Sequence, residues 1–220
     1  MPAAGCGVFW CGYRLRCRGP GMLARVRLDS PFGVIPRLAF APMILVVAAT
    51  ERELAGAQGV QTLACGIGPV EAAAATARAL AEQRPHVLLH VGIAGGRGIA
   101  APELVIGSEA VYEDAAGGEL VRARARPDGR LVEAAQRALP EAHVLPIGTS
   151  ARVAGTNACE VEAMEGFAVL RAAELAGVPA VEVRAVSNDI DEPDRARWRF
   201  DEALGALGAA VPRLLAELER

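Results

Sequence analysis

Lysine is missing altogether: all 23 basic residues are arginine. With the choice of cation so uniform, the arginines are read as the coding bias of a GC-rich gene and not as a functional signal. Aromatic residues fill only 4% of the 220 positions, so a core has to be assembled from aliphatic and small side chains. Histidine occurs three times, and neither Cys65 nor Cys159 stands at metal-ligand spacing to any of them. No metal and no cofactor is therefore expected. No apolar stretch approaches the roughly 20 residues that a membrane-spanning helix needs, so no membrane contact is expected. Nor does an apolar run of about 7–15 residues follow the first basic cluster, as a secretory signal would require. Cys6, Cys11 and Cys17 crowd the first 42 residues, while Cys65 and Cys159 stand singly and read as small apolar fillers. A disulfide framework is not expected, and a reducing cytoplasm is the expected compartment.

What is present is 52% apolar and 22% charged, the composition of a close-packed α/β protein and not of a disordered chain. The net charge of −3 conceals an asymmetry: residues 1–42 hold six Arg and one Asp, about +5, leaving about −8 on residues 43–220. An acidic body is unsuited to nucleic acid, because neutralising phosphates needs clustered positive charge. Residues 1–42 are rich in Gly, Pro, Arg and Cys and show no sustained apolar period. They are expected to be a disordered extension, or sequence translated upstream of a start at Met43 or Met22, with a targeting or redox arm as the alternative. Residues 43–220 are expected to form a single domain.

From Met43 onward, short apolar runs alternate with longer amphipathic ones. Residues 43–49, 61–66, 86–91, 104–112, 119–124, 143–147 and 180–186 read as strands, with a turn through 115–118. Residues 69–83, 131–138, 162–176 and 194–219 read as helices. Pro69 suits a first helical turn, where its missing N–H costs little, and Gly177-Val178-Pro179 is a helix ending. This alternation predicts an α/β fold: a central twisted sheet, largely parallel or mixed, flanked by helices. Ligand sites in such sheets lie at the carboxyl ends of strands.

Two segments carry the most specific pattern. Val161-Glu162-Ala163-Met164-Glu165-Gly166 sets an acid-Met-acid cluster at a helix start, and Arg184-Ala185-Val186-Ser187-Asn188 ends a buried strand on a polar pair. Together they resemble the nucleoside phosphorylase and nucleosidase superfamily, over residues 43–220 and none of residues 1–42. The resemblance implies that Glu165 takes the ribose hydroxyls, Met164 the sugar face and Asn188 the purine. A homo-oligomer is the implied assembly, and a small nucleoside the implied partner.

Other segments gain or change meaning in that light. Glu51 and Glu53, which on their own are ordinary helix-start acids, fall where the methylthioadenosine nucleosidases carry A-M-E-E-E-V. The third acid there is the base that activates water, and it corresponds to Glu53, with Glu51 as the alternative. Gly66-Ile67-Gly68 lacks the third glycine of a dinucleotide loop, Glu71 standing there; in the superfamily this loop, with Gly68, approaches the sugar and the nucleophile. Leu89-His90-Val91-Gly92-Ile93-Ala94-Gly95-Gly96 lies where phosphorylases have R-V-G-S-C-G. His90 and Ile93 replace the phosphate-binding Arg and Ser, which leaves little to hold a dianion and makes water the expected nucleophile across Ile93, Ala94 and Gly95. Alone, His90 reads as a core histidine.

The base and the 5′ end are read the same way. An amide at Asn188 suits a 6-oxopurine such as hypoxanthine, where enzymes of 6-aminopurines usually have Asp; a turn-capping Asn is the plainer alternative, and Asp189 the acid in a shifted register. Arg152 and Val153 occupy the place of the base-binding loop, with Arg152 able to stack on a purine. Arg197 and Trp198, in Arg195-Ala196-Arg197-Trp198-Arg199-Phe200, lie where the superfamily covers the 5′ substituent, and suit an aromatic ring bearing a carboxylate. A solvated helix start is the other reading of that segment. The expectation is a hydrolase of a hypoxanthine nucleoside carrying a carboxyphenyl ketone at its 5′ end. A methylthioadenosine/adenosylhomocysteine nucleosidase, a purine nucleoside phosphorylase and a catalytically silent nucleoside binder are the alternatives, with a Rossmann oxidoreductase behind them.

Overall fold

The first strand, β1 (Ile44–Ala48), is buried along all five residues, and its successive side chains leave by opposite faces. Ile44, Val46 and Ala48 join a core with Leu207 and Leu214 of helix α4 (Phe200–Leu218) and Ala134 and Ala135 of α2 (Gly129–Ala138). Leu45 and Val47 join another, with Leu80 of α1 (Pro69–Gln83) and Val169 and Leu170 of α3 (Gly166–Ala176). A sheet apolar on both faces has to be covered on both, and the helices divide accordingly. The computed structural model describes residues 43–115, 118–156 and 158–220; the expectation for residues 1–42 lies outside the described residues.

Among the described residues eight strands form one sheet. Its order is β2 (Gln61–Ala64), β1, β3 (Val87–Gly96), β7 (Val161–Ala163), β6 (His143–Thr149), β4 (Leu104–Tyr112) and β5 (Arg124–Ala125). The eighth, β8 (Ala180–Asp189), pairs with both β3 and β4, so that β3, β8, β4, β6 and β7 close into a ring. Every strand of that ring contributes to a third small core of Ala94, Val105, Ile147, Val161, Ala163 and Val186. Pairs β1–β2, β1–β3, β3–β8, β4–β6 and β6–β7 are parallel, and β3–β7, β4–β5 and β4–β8 antiparallel. The expected α/β class, with a mixed sheet flanked by helices, is the fold this chain adopts. No helix among the described residues is long and apolar enough to cross a membrane.

Three expected elements are corrected. The helix read from residue 162 begins at Gly166, because Val161–Ala163 pair with β6 and with the end of β3; strand pairing outweighs the helical preference of the Glu-Ala-Met-Glu run. Residues 119–124 form no long hairpin strand. A 3-10 turn covers Gly118–Leu120 and only Arg124–Ala125 pair with β4. The helix read from 194 is broken: a 3-10 turn at Arg195–Arg197 is followed by extended Trp198, and α4 starts at Phe200. Strands β3 and β8 both run further than expected, to Gly96 and Asp189.

Candidate active site

The chain leaving β1 folds back through Thr50, whose backbone N–H and Oγ1 donate to Glu53 Oε2 at 2.8 and 2.7 Å. This reciprocal cap winds Glu51–Leu54 into a 3-10 turn and sends Glu53 inward at 6% exposure, leaving Glu51 in solvent. Glu53 Oε1 accepts the Ile93 amide at 3.0 Å from the carboxyl end of β3. The backbone of Ile93 is shared: its carbonyl accepts Arg184 Nη1 at 3.4 Å from the neighbouring strand β8. At Gly92 a Cβ would overlap the Arg184 guanidinium and stand 2.9 Å from Glu53 Oε1, so any larger residue there would displace both.

Arg184 is the buried cation of this end of the sheet, its side chain 1% exposed. Nε donates to Glu182 Oε1 at 2.8 Å, Nη2 donates to His90 Nε2, and Nη2 lies 3.5 Å from Glu165 Oε2. Glu165 follows β7 and precedes α3, buried to 4%. Its Oε1 accepts the Gly68 amide at 3.0 Å, presented by a backbone at φ +97° that favours glycine. The amide of the glycine loop thus serves a carboxylate of the protein, not a pyrophosphate. Burial pushes the Glu165 carboxyl up, opposed by Arg184 and the Gly68 amide. For Arg184, burial works downward, but Glu182, Glu165 and Glu53 outweigh it and hold the guanidinium charged. Cys65 is pushed up to about 11 by burial, with Glu165 adding to it.

His90 is fully buried, and burial followed by the Arg184 charge sends its pKa well below 6.5. Since a guanidinium only donates, His90 Nε2 accepts and the ring proton sits on Nδ1. The unfolded chain takes up a proton near pH 6.5 that the folded chain refuses. This contribution to stability is complete above that pH and is lost as pH falls below it, by up to about 1.4 kcal/mol per unit. Urea unfolding between pH 5 and 7.5 should show a steeper acid-side loss in the wild type than in His90→Gln. Equal slopes would contradict a histidine held neutral.

Asn188 is half-buried at the end of β8. Its Oδ1 accepts Ser187 Oγ at 2.7 Å and its Nδ2 donates to the Asp189 carbonyl at 2.9 Å. A Cβ on Gly95 would lie 3.2 Å from Nδ2, which places the amide beside the end of β3. Across β3 from it, Gly95 pairs with Glu162 of β7. Glu162 accepts the amides of Ala154 and Thr156 at 2.7 and 2.6 Å, and Asp114 accepts Ser150 Oγ and the Ala151 amide at 3.0 and 2.7 Å. These carboxylates fix the loop carrying Arg152 and Val153, both exposed, with Arg152 Nη2 3.9 Å from Asp114.

Arg197 and Trp198 stand further out. The Arg199 amide donates to the Ser187 carbonyl at 2.7 Å, anchoring their segment to the end of β8. Arg197 pairs with Glu192 and Asp194 at 3.2 and 3.8 Å, and Trp198 Nε1 donates to the Glu192 carbonyl at 3.1 Å. Met164 is half-buried next to Glu165. The structure therefore pairs Glu53 with Ile93 and Glu165 with Gly68, and Arg184 joins the two pairs through the Ile93 carbonyl and Glu165 Oε2. It sets Ala94, Gly95 and Asn188 at their edge, and holds Arg152, Val153, Arg197 and Trp198 on loops beyond. Arg184, Glu182 and Glu162 carry no role in the sequence pattern. A signal was present for the first two, since Glu182 and Arg184 interrupt an otherwise apolar strand at the spacing that puts both on one face.

An acid capped into the end of β1, a second acid on a glycine-loop amide and a buried arginine between them define a class. The chain belongs to the phosphorylase superfamily, whose family model it matches over residues 50–220. It is 37% identical over 193 residues to the futalosine hydrolase of Streptomyces coelicolor, covering 73% of this chain and 80% of that one. Futalosine hydrolase of Helicobacter pylori shares the fold at 14% identity, with a TM-score of 0.73 over 80% of this chain and 98% of that one. The methylthioadenosine/adenosylhomocysteine nucleosidase of Neisseria meningitidis, solved with methylthio-immucillin-A, is 26% identical with a TM-score of 0.68, over 80% and 97% of the two chains.

Proposed function

We propose that the protein is a futalosine hydrolase: it cleaves the N-glycosidic bond of futalosine with water and releases hypoxanthine, within an alternative menaquinone pathway. The observation that carries this reading is the charge balance of the site. Glu53, Glu165 and Glu182 are buried around one guanidinium, and the position of the phosphorylase arginine is taken by a neutral His90 whose Nε2 is already occupied. A phosphate dianion would enter a site with an excess of buried carboxylate, whereas water needs only an acceptor. The identity to the Streptomyces coelicolor enzyme supports the substrate.

In the reaction Glu53 directs water to the anomeric carbon and takes its proton. Three hydrogen bonds hold the carboxylate in place, so little reorganisation is needed at that step. As the bond to the base breaks, its electron pair leaves with hypoxanthine, which takes up a proton from solvent at N7 in exchange for the one Glu53 accepts from water, and positive charge grows on the sugar. Glu165 faces that charge and the ribose hydroxyls, and Met164 packs on the sugar. Gly68, Ile93, Ala94 and Gly95 form the backbone floor. Asn188 binds hypoxanthine as it departs, and the loop of Arg152 and Val153 covers it. Arg197 and Trp198 receive the 5′ carboxyphenyl group, with Arg197 exchanging Glu192 and Asp194 for the substrate.

Asn188→Asp should shift base preference by at least about tenfold toward 6-aminopurine nucleosides, since one well-matched polar contact is worth about 1–3 kcal/mol. Competition between inosine and adenosine derivatives measures it, and an unchanged ratio would remove Asn188 from base recognition. Base release from futalosine, inosine and methylthioadenosine tests the function itself. Hypoxanthine from futalosine is the expected product. Adenine from methylthioadenosine alone would make the protein a methylthioadenosine nucleosidase, and release from none would make it a silent binder. The reading also makes the protein a cytoplasmic homo-oligomer; exposed Ile67 and Val70, on either side of Gly68, support an association surface.

A further inference from the structure

Behind the carboxylates proposed to meet substrate lies a second set of buried polar groups that the reaction does not use. His90 and Glu182 are register partners on the parallel strands β3 and β8, both 0% exposed, and Arg184 is the partner of Gly92 two residues further on. Residues two apart on a strand share a face, so His90, Glu182 and Arg184 form one polar island under α3. Gly166, the first residue of α3, lies so close that a Cβ there would collide with the Glu182 carboxylate. Burying an acid, a base and a cation together is costly unless each is satisfied. Here two atoms are not: His90 Nδ1 and Glu182 Oε2 have no hydrogen-bond partner. The island is therefore poorly explained as a contribution to stability alone.

Its geometry has a direction. Nε and one edge of Nη2 are gripped by Glu182 and His90, while Nη1 reaches the Ile93 carbonyl and Nη2 also faces Glu165. The same Ile93 holds Glu53 through its amide. Two acceptors at the back thus fix the plane of a guanidinium whose front touches the settings of both proposed catalytic carboxylates. We propose that His90 and Glu182 are positioning residues of the nucleosidase: they hold Arg184 in the one orientation that keeps Glu165 and Glu53 aligned on the sugar and on the water. The inference rests on the proposed hydrolysis. It gives His90 a task as an acceptor in place of the phosphate contact its position carries in phosphorylases.

The test compares acceptors placed at different reach. In His90→Gln the side-chain oxygen comes near the position of Nε2 and can accept from Arg184; in His90→Asn it stops near Nδ1 and cannot. His90→Asn is expected to melt lower than His90→Gln, because it leaves a buried Arg184 N–H without its acceptor; thermal unfolding is measured on each, and kcat is compared at a temperature where both are folded. On futalosine, His90→Gln should keep kcat within about threefold of wild type. His90→Asn should lose about 10- to 100-fold in kcat with KM changed less than about threefold, as a misaligned site costs turnover more than binding. Glu182→Gln, which keeps an oxygen for Nε, and Glu182→Met, which does not, repeat the comparison from the other edge of Arg184. Equal kcat within each pair, or a loss confined to KM, would overturn the positioning role while wild-type hydrolysis stands. Absence of base release by the wild type would instead bring down the hydrolase reading and this inference with it.

Discussion

Glu53→Gln is expected to lower hypoxanthine release by more than about 1,000-fold, at the upper end of what a general base contributes. The amide retains the shape of the side chain but cannot take the proton of the attacking water. It also disturbs the cap in a way the structure specifies. Three donors converge on the carboxylate: the Thr50 amide, Thr50 Oγ1 and the Ile93 amide. A glutamine offers one oxygen, and the Thr50 hydroxyl can turn to accept, but the two backbone amides cannot. One of them is left facing an NH2 group, at a cost of about 1–3 kcal/mol. For a domain of this size that is a fall of some 2–12 °C in Tm. The variant should still fold, so turnover and melting separate chemistry from structure. Near wild-type turnover would remove Glu53 as the base, and the exposed Glu51 could not replace it without unwinding the 3-10 turn.

The largest effect on stability is expected at Arg184. Arg184→Met keeps much of the volume and removes the buried cation shared by Glu182, Glu165 and Glu53. Breaking a buried ion pair from one side costs about 3–5 kcal/mol, because the partner charges remain buried. The loss should depend on pH in a defined sense. Without the guanidinium the Glu165 carboxyl, already pushed up by burial, loses the charge that opposes the shift and binds a proton more tightly than in the unfolded chain, so the variant recovers stability as pH falls toward 5 and loses it as pH rises. Thermal melts of both proteins at pH 5, 6 and 7.5 read this out. A Tm within 2 °C of wild type at every pH would mean the carboxylates do not depend on Arg184.

Where the residues of the candidate site would fall was largely legible in the sequence, because most of them sit at strand ends. Glu53, Gly68, Ile93 and Asn188 each follow an apolar run that reads as a strand, and topology alone gathers such ends, whereas Glu165 read as part of a helix starting at residue 162 and lies before α3 only because β7 intervenes. Hidden from the pattern was everything created by pairing. β7 is three residues long and exists because β3 and β6 flank it, so Glu162 read as helical when it is a strand residue anchoring a loop. Strand β8 read as buried apolar sequence although Glu182 and Arg184 lie inside it. Their meaning depends on His90, more than 90 residues away in the chain and adjacent only through the β3–β8 register. That Glu53 is turned inward while Glu51 stays in solvent likewise depends on the Thr50 cap, a local signal weaker in sequence than in three dimensions.

The identity of the nucleophile separates hydrolysis from phosphorolysis most directly. The measurement is the sugar product formed from futalosine at saturating phosphate, resolved by mass spectrometry. Free reducing sugar alone, at a rate unchanged when phosphate is withheld, is the predicted result, because buried carboxylates surround the Arg184 guanidinium of the candidate site and His90 is held neutral beside it. A sugar 1-phosphate, formed at a rate that rises with phosphate, would contradict it.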